Sequence, residues 1–303
     1  DAAGVVIIRD DGAGAGGTNS DIPTVSISSP SVLENAGFAE FTVSLSNAST
    51  TAVSVNLTSA AGTAALGLDY TSALQVSTDN GVTWTPSAAA TFAPGATAVL
   101  VRAPIIDDLL DELGETFSVT ATVASGATTN TTATGVATIL DNDPTPSVSI
   151  DSVTVNEGTG SATLTLTLSA VSGLPVTVDY ALAPGSATAP QDYIASTGTI
   201  TFAPGVATRT IVVPIVNDTT YEGAESFSAT LSNPTNATIF GAGVGVVTIM
   251  DDGTGTGGTN DDTPTVSVNS VSVNEDAGPA VFTVSLSNPS KFPIGLSLAL
   301  AAG

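Results

Sequence analysis

The 303-residue sequence predicts an all-β protein made of tandem Ig-like antiparallel β-sandwich domains arranged end to end. Three observations predict it. Val, Thr, Ile, Leu and Ser alternate with period two, as in Thr163-Leu164-Thr165-Leu166-Thr167-Leu168 and Thr42-Val43-Ser44-Leu45, and Asn, Pro and Gly turns cut the runs. No stretch of about a dozen residues carries apolar side chains at helical spacing between capping signals, and 109–115 allows a helical turn at most. The chain also repeats itself: PTVSI at 23–27 returns as PSVSI at 146–150 and PTVSV at 264–268, offsets of 123 and then 118 residues that suit one sandwich per repeat.

Further echoes keep the same order and divide the chain. Phe92-Ala93-Pro94-Gly95 pairs with Phe202-Ala203-Pro204-Gly205, Glu112-x-x-Glu115-x-Phe117 with Glu222-x-x-Glu225-x-Phe227, and Thr138-Ile139-Leu140-Asp141 with Thr248-Ile249-Met250-Asp251. Residues 1–12 read as the last strand of a preceding domain and 13–20 as a Gly-rich linker. Residues 21–143 form a first whole domain, type A, and 144–252 a second, type B. Residues 253–263 are a Gly/Thr-rich linker, and 264–303 are the N-terminal part of a further type A domain. The A-to-A period is 264 − 23 = 241 residues, so the expectation is a segment of a longer alternating array. The A-to-B junction, Asp141-Asn142-Asp143-Pro144-Thr145-Pro146, is short and proline-limited, which predicts a stiff joint alternating with a looser one.

Composition excludes several function classes. Four basic residues against 28 acidic ones give a formal charge of −24, which repels nucleic acid phosphates and anionic lipid and attracts cations. With no Cys and no His there is no disulfide, thiolate site, imidazole ligand or histidine base. No apolar run approaches the ~18 residues of a spanning helix, so no direct membrane insertion is expected. The Gly-rich segments lack a following helix and a Lys, and read as linkers, not phosphate loops.

Strand parity then gathers the acids. Each hairpin reverses the chain and a domain has two ends, so strands through 148–155, 164–168, 176–182, 200–202, 209–216, 227–231, with a turn at Asn233-Pro234, and 244–250 place every acidic motif at the end where the chain leaves. In the first domain these are Glu34, Asp69, Asp107, Asp108, Glu112, Glu115, Asp141 and Asp143, 8 of the 12 acids between 21 and 144. In the second they are Glu157, Asp192, Asp218, Glu222, Glu225, Asp251 and Asp252, 7 of the 9 between 145 and 252. Carboxylates about 4 Å apart repel by roughly 4 kcal/mol per pair at an effective dielectric of 20, so the cluster calls for cations. Loop-borne carboxylates suit Ca²⁺ before Mg²⁺, with more than one ion per complete domain. A solvated acidic rim is the bland alternative.

The early Glu (Glu34, Glu157, Glu275), Asp69-Tyr70 and Asp192-Tyr193, the F-x-P-G turn, the Asp-Asp pair, E-x-x-E-x-F and the terminal I-x-D-D together resemble Calx-beta domains. Those are calcium-binding β-sandwiches of sodium-calcium exchanger regulatory loops, integrin β4 and bacterial surface proteins. The resemblance covers nearly the whole chain and implies that the acids just named, with Glu275 in the last repeat and the Leu110 carbonyl, are calcium ligands. Three positions depart from the pattern: Asn142 within Asp141-Asn142-Asp143 keeps an oxygen ligand but loses a charge, while Asn217 for the first Asp of the pair and Gly253 where a third Asp often stands imply fewer ions in the second domain. An insertion around 76–84 carries Asp79-Asn80-Gly81 as a hairpin turn, with Trp84 packing. Tyr70, Tyr193, Phe117 and Phe227 read as core residues.

The expected function is a non-enzymatic, calcium-stiffened spacer or fibre-forming repeat of a large bacterial cell-surface protein, acting in adhesion or filament assembly. Its expected partners are neighbouring repeats and laterally associated copies. A calcium-sensing regulatory pair attached to another protein is the alternative, and an accessory carbohydrate-binding module a weaker third, since only Trp84 and a few Tyr offer stacking surfaces.

Overall fold

The computed structural model describes residues 21–251 and 262–301, and the chain divides into two compact units, Asp1–Pro144 and Thr145–Gly303. The first unit contains β1 (Val25–Ile27), β2 (Ser31–Leu33), β3 (Phe38–Leu45), β4 (Val53–Ala61), β5 (Gln75–Ser77), β6 (Thr85–Pro86), β7 (Ala89–Phe92), β8 (Ala98–Pro104), β9 (Glu115–Ser125) and β10 (Thr132–Leu140). One sheet has the order β1-β3-β8-β5-β6 and the other β2-β10-β9-β4-β7. Strand alternation is the reason the two sheets pack. In β3 the side chains of Ala39, Phe41, Val43 and Leu45 all turn into the core while their neighbours stay nearer solvent. Burying each large apolar side chain of this kind contributes about 1.5–3 kcal/mol.

The second unit repeats the plan with β11 (Ser147–Ile150), β12 (Val153–Asn156), β13 (Ser161–Leu168), β14 (Val176–Pro184), β15 (Thr197–Phe202), β16 (Thr208–Pro214), β17 (Glu225–Thr235), β18 (Thr238–Ile239) and β19 (Val244–Met250). Its sheets are β16-β13-β11-β18 and β12-β19-β17-β14-β15. Beyond residue 261 the same unit carries a two-stranded ribbon, β20 (Val266–Val268) paired with β21 (Val284–Leu286). Among the described residues the helical content is two 3₁₀ turns, Glu34–Ala36 and Glu157–Thr159, each closed by a glycine at positive φ, Gly37 and Gly160.

The sandwich is not purely antiparallel. The first strand of each domain, expected to run unbroken through 148–155 in the second, instead splits and changes sheets. Its first half pairs antiparallel with β3 or β13, and its second half pairs parallel with β10 or β19. The split falls at Ser28-Ser29-Pro30 and at Asp151-Ser152, where side chains replace missing ladder bonds. Ser28 Oγ accepts Thr42 N–H and Ser29 Oγ accepts Val136 N–H; Asp151 Oδ1 accepts Thr165 N–H and Ser152 Oγ accepts Val246 N–H. Gly135 and Gly245 sit against this crossing, where an added Cβ would lie 2.2 Å from Ser28 O and 2.3 Å from Asp151 O.

Asn233-Pro234 also differs from expectation. It lies inside β17, which continues to Thr235, with Asn233 and Asn236 at φ 49° and 54°; the chain reverses after residue 235. The local bulge in the pairing of β14 with β17 absorbs the proline, which has no N–H to offer. The insertion in the first domain is a hairpin as expected, β5 pairing with β6, with Asn80 and Gly81 at positive φ. Trp84 packs within it, donating Nε1–H to Gly81 O at 3.1 Å and stacking under Arg102 at 4.2 Å.

Candidate metal centre

Each acid of the first domain is delivered by a loop that follows or precedes a core strand. Glu34 opens the 3₁₀ turn after β2 and is buried; Asp69 precedes the core ring of Tyr70; Glu112 and Glu115 flank the start of β9; Asp141 and Asp143 follow β10. Two groups form. Carboxylate oxygens of Glu34, Asp141 and Asp143 lie within 4.8 Å of one another, and so do those of Asp69, Glu112 and Glu115. Glu34, Asp69, Glu112, Glu115 and Asp141 line one small cavity of about 10 Å³, room for a single ion or water and too small for an organic ligand.

Backbone bonds hold the carboxylates in place. Glu34 Oε1 accepts Asp108 N–H at 3.1 Å, Asp108 Oδ1 accepts Leu110 N–H at 2.7 Å, and Asp69 Oδ2 accepts Ala65 N–H at 2.5 Å. Asp108 thus shapes the loop that carries Leu110, while Asp107 is exposed and bonded to Asn142 Nδ2 at 3.4 Å. Asn142 Oδ1 accepts Asn35 N–H at 2.9 Å, so the residue ties the Glu34 turn to the chain exit.

The second domain repeats the frame. Glu157 Oε1 accepts Asp218 N–H at 2.6 Å, Asp218 Oδ1 accepts Thr220 N–H at 2.6 Å, and Asp192 Oδ2 accepts Thr188 N–H at 2.6 Å. Carboxylate oxygens of Asp192, Glu222 and Glu225 lie within 4.8 Å of one another, as in the first domain, and Asp251 Oδ2 accepts Glu222 N–H at 2.7 Å. Asp252 and Gly253 lie outside the described residues. Glu275 stands exposed in a turn and joins none of these groups.

Electrostatics marks the clusters as poised for cations. Burial, helped by the charges of Asp108, Asp143 and Asp141 and opposed by the Asp108 N–H, pushes Glu34 up to about 7. Burial, together with a hydrogen bond to Asp69 and its charge, pushes Glu115 up to about 7. Burial also raises Glu112 and Asp143, each with help from neighbouring carboxylates. Glu157 rises to about 7 through burial and the charges of Asp218, Asp251 and Asp262. Asp143 Oδ2 and Glu225 Oε2 are buried without a hydrogen-bond partner, the state of an oxygen suited to a metal. A hard divalent cation fits this all-oxygen donor set.

Two acids escaped the sequence reading. Asp111 is buried and its charge acts on Asp143. Asp262 is buried and its charge helps to raise Glu157. The signal was available for Asp262, which occupies the position of Asp21 one A-to-A period later, 21 + 241 = 262.

The Calx-beta domain model matches residues 18–145 and 141–253. Among solved structures, CBD12 from CALX1.2 is 20% identical, with 75% of this chain and 99% of that one covered and a TM-score of 0.35. The calcium binding domain CBD12 of CALX1.1 is 22% identical, covering 69% of this chain and 80% of that one at a TM-score of 0.31. The CupB2 chaperone of Pseudomonas aeruginosa is 11% identical over 73% of this chain and 96% of its own, with a TM-score of 0.27. None of the curated proteins matches the sequence. The two family matches take in most of the 303 residues and fall on the two sandwiches that bear the acid clusters: the chain belongs to the Calx-beta domain family.

Proposed function

We propose that the chain is a calcium-binding structural segment of a large extracellular bacterial surface protein, a non-catalytic spacer or fibre-forming module that stiffens when it binds the ion. The observation that carries the reading is the recurrence of one three-carboxylate group, Asp69–Glu112–Glu115 and Asp192–Glu222–Glu225, at matching positions of both repeats. Solubility alone does not require that acids be shielded from solvent and close together at the same places twice, with Asp69 and Asp192 each held by a backbone N–H. Membership of the Calx-beta family supports calcium as the ion.

In the first domain Asp69, Glu112 and Glu115 would hold one ion, and Glu34, Asp141 and Asp143 another. Calcium supplies positive charge that offsets the mutual repulsion of these carboxylates, and so ties the loops after β2, β8 and β10 together where the chain leaves the domain. Tandem copies and an acidic, cysteine-free composition support a spacer role at a cell surface. Lateral association of copies into filaments belongs to the same reading.

Calcium titration by calorimetry, with thermal unfolding and small-angle scattering in calcium and in chelator, tests it. Saturable binding, a higher Tm and a longer particle are expected, since a ligand of the folded state stabilises it. Absence of binding at millimolar calcium with unchanged melting would overturn the calcium reading. Immunolabelling of intact bacteria tests the surface location, and label confined to lysed cells would overturn that part.

A further inference from the structure

In the second unit the acid cluster meets a lysine from the following repeat. Lys291 Nζ lies 2.6 Å from Glu225 Oε1 and 3.2 Å from Glu222 Oε1. The contact is wider than one ion pair. Tyr221 N–H donates to Pro289 O at 3.0 Å, Lys291 N–H donates to Tyr221 O at 2.9 Å, and Asn288 Nδ2 donates to Thr219 O at 3.1 Å. The Tyr221 and Phe292 rings meet edge to face with centroids 5.9 Å apart, and Phe292 also covers Gly223, where an added Cβ would lie 3.1 Å from its ring.

Sequence supports the contact independently. The two type A copies align at an offset of 241, which sets Lys291 and Phe292 against Thr50 and Thr51, and the type B counterparts are Gly173 and Leu174. On the other side, Tyr221 and Gly223 replace Asp111 and Leu113 of type A. Both partners therefore differ from their repeats at the residues that touch.

We infer that the loop 218–225 of the second domain is a docking surface for the turn 288–292 of the repeat that follows, with Lys291 as a tethered cation in the place a metal would take at Glu222 and Glu225. In the first domain the counterparts of Glu222 and Glu225 are Glu112 and Glu115, and there Glu115 hydrogen-bonds to Asp69 instead. The ammonium and a divalent ion both require the Glu222 and Glu225 oxygens, so docking through Lys291 and metal binding at this one cluster compete. That consequence rests on the calcium reading; the docking does not.

The absence of native cysteine makes the test direct. Spin labels on T210C and S285C in the full chain report the distance between β16 and β21 by electron resonance. In chelator a single narrow distribution is expected, broadened by K291Q together with F292A; an unchanged distribution in that variant overturns the docking. Calcium calorimetry of K291Q alone should show binding at the second domain tightened about two- to fivefold, as expected for release of an exposed ion pair. Binding in the first domain, which Lys291 does not touch, serves as the internal reference. Unchanged or weaker second-domain binding against an intact first-domain reference overturns the competition. Loss of binding in both domains overturns the calcium reading and with it the competition, while the distances in chelator still decide the docking.

Discussion

Tyr70 lies flat on Phe117, with ring centroids 4.2 Å apart and planes 10° from parallel, and this pair sets where two carboxylates meet. Asp69 immediately precedes Tyr70 and Glu115 stands two residues before Phe117, so stacking the rings in the core draws the acids together above it. The second domain repeats the device with Tyr193 on Phe227, 4.0 Å apart, beneath Asp192 and Glu225. The free energy that holds the repelling acids close is thus that of an apolar core.

Removing the ring from beneath the acids should cost stability and cation affinity together. Phe117→Ala is expected to destabilise the first domain by about 3–5 kcal/mol, and Phe117→Leu by less. Denaturant melts of the two variants with and without calcium check this. Loss of stability with full calcium affinity in Phe117→Leu would disconnect the stack from the site.

Without a divalent cation the protein should lose stability as pH rises. Glu34, Glu115 and Glu157 have folded-state values near 7, above their ordinary 4.5, so between these values the folded chain holds more protons than the unfolded chain. Stability from these groups is full below about pH 4.5 and declines toward pH 7. In chelator, Tm should therefore fall from pH 5 to pH 8, and with saturating calcium the fall should flatten or reverse. A Tm that rises with pH in chelator would contradict the assignment.

Neutralising one acid should separate folding from binding. Glu115→Gln removes a charge from the Asp69–Glu112–Glu115 group, so in chelator at pH 8 its Tm should exceed that of the parent chain, while calcium binding at that group weakens by at least about tenfold. Paired melting and calorimetry read both signs from one variant. A lower Tm in chelator would mean that the carboxylates do not repel in the folded state.

Gly135→Ala and Gly245→Ala should each destabilise their domain by about 1–3 kcal/mol or more, because the new methyl group would collide with the Ser28 or Asp151 carbonyl at the sheet crossing. Neither glycine is at positive φ, so the cost is steric and not conformational. Thermal melts check it, with Gly95→Ala as the contrast: its Cβ meets nothing within 4 Å, and its cost comes from a φ of 86°.

Period and order are what the chain makes legible before it folds. Two-residue alternation makes sandwiches of these runs, the repeated strings divide the chain, and counting reversals brings Glu34, Asp69, Glu112, Glu115 and Asp141 to one end, since a hairpin can only reverse direction. The stacked Tyr70 and Phe117 were legible as core for the same reason. Direction says nothing of sheet membership, so the splits at Pro30 and Ser152, and the parallel pairs they create, emerged only in three dimensions. The carboxylate groupings, the use of Asn142 as a tie and the arrival of Asp262 and Lys291 at the second domain depend on contacts between segments far apart in the chain.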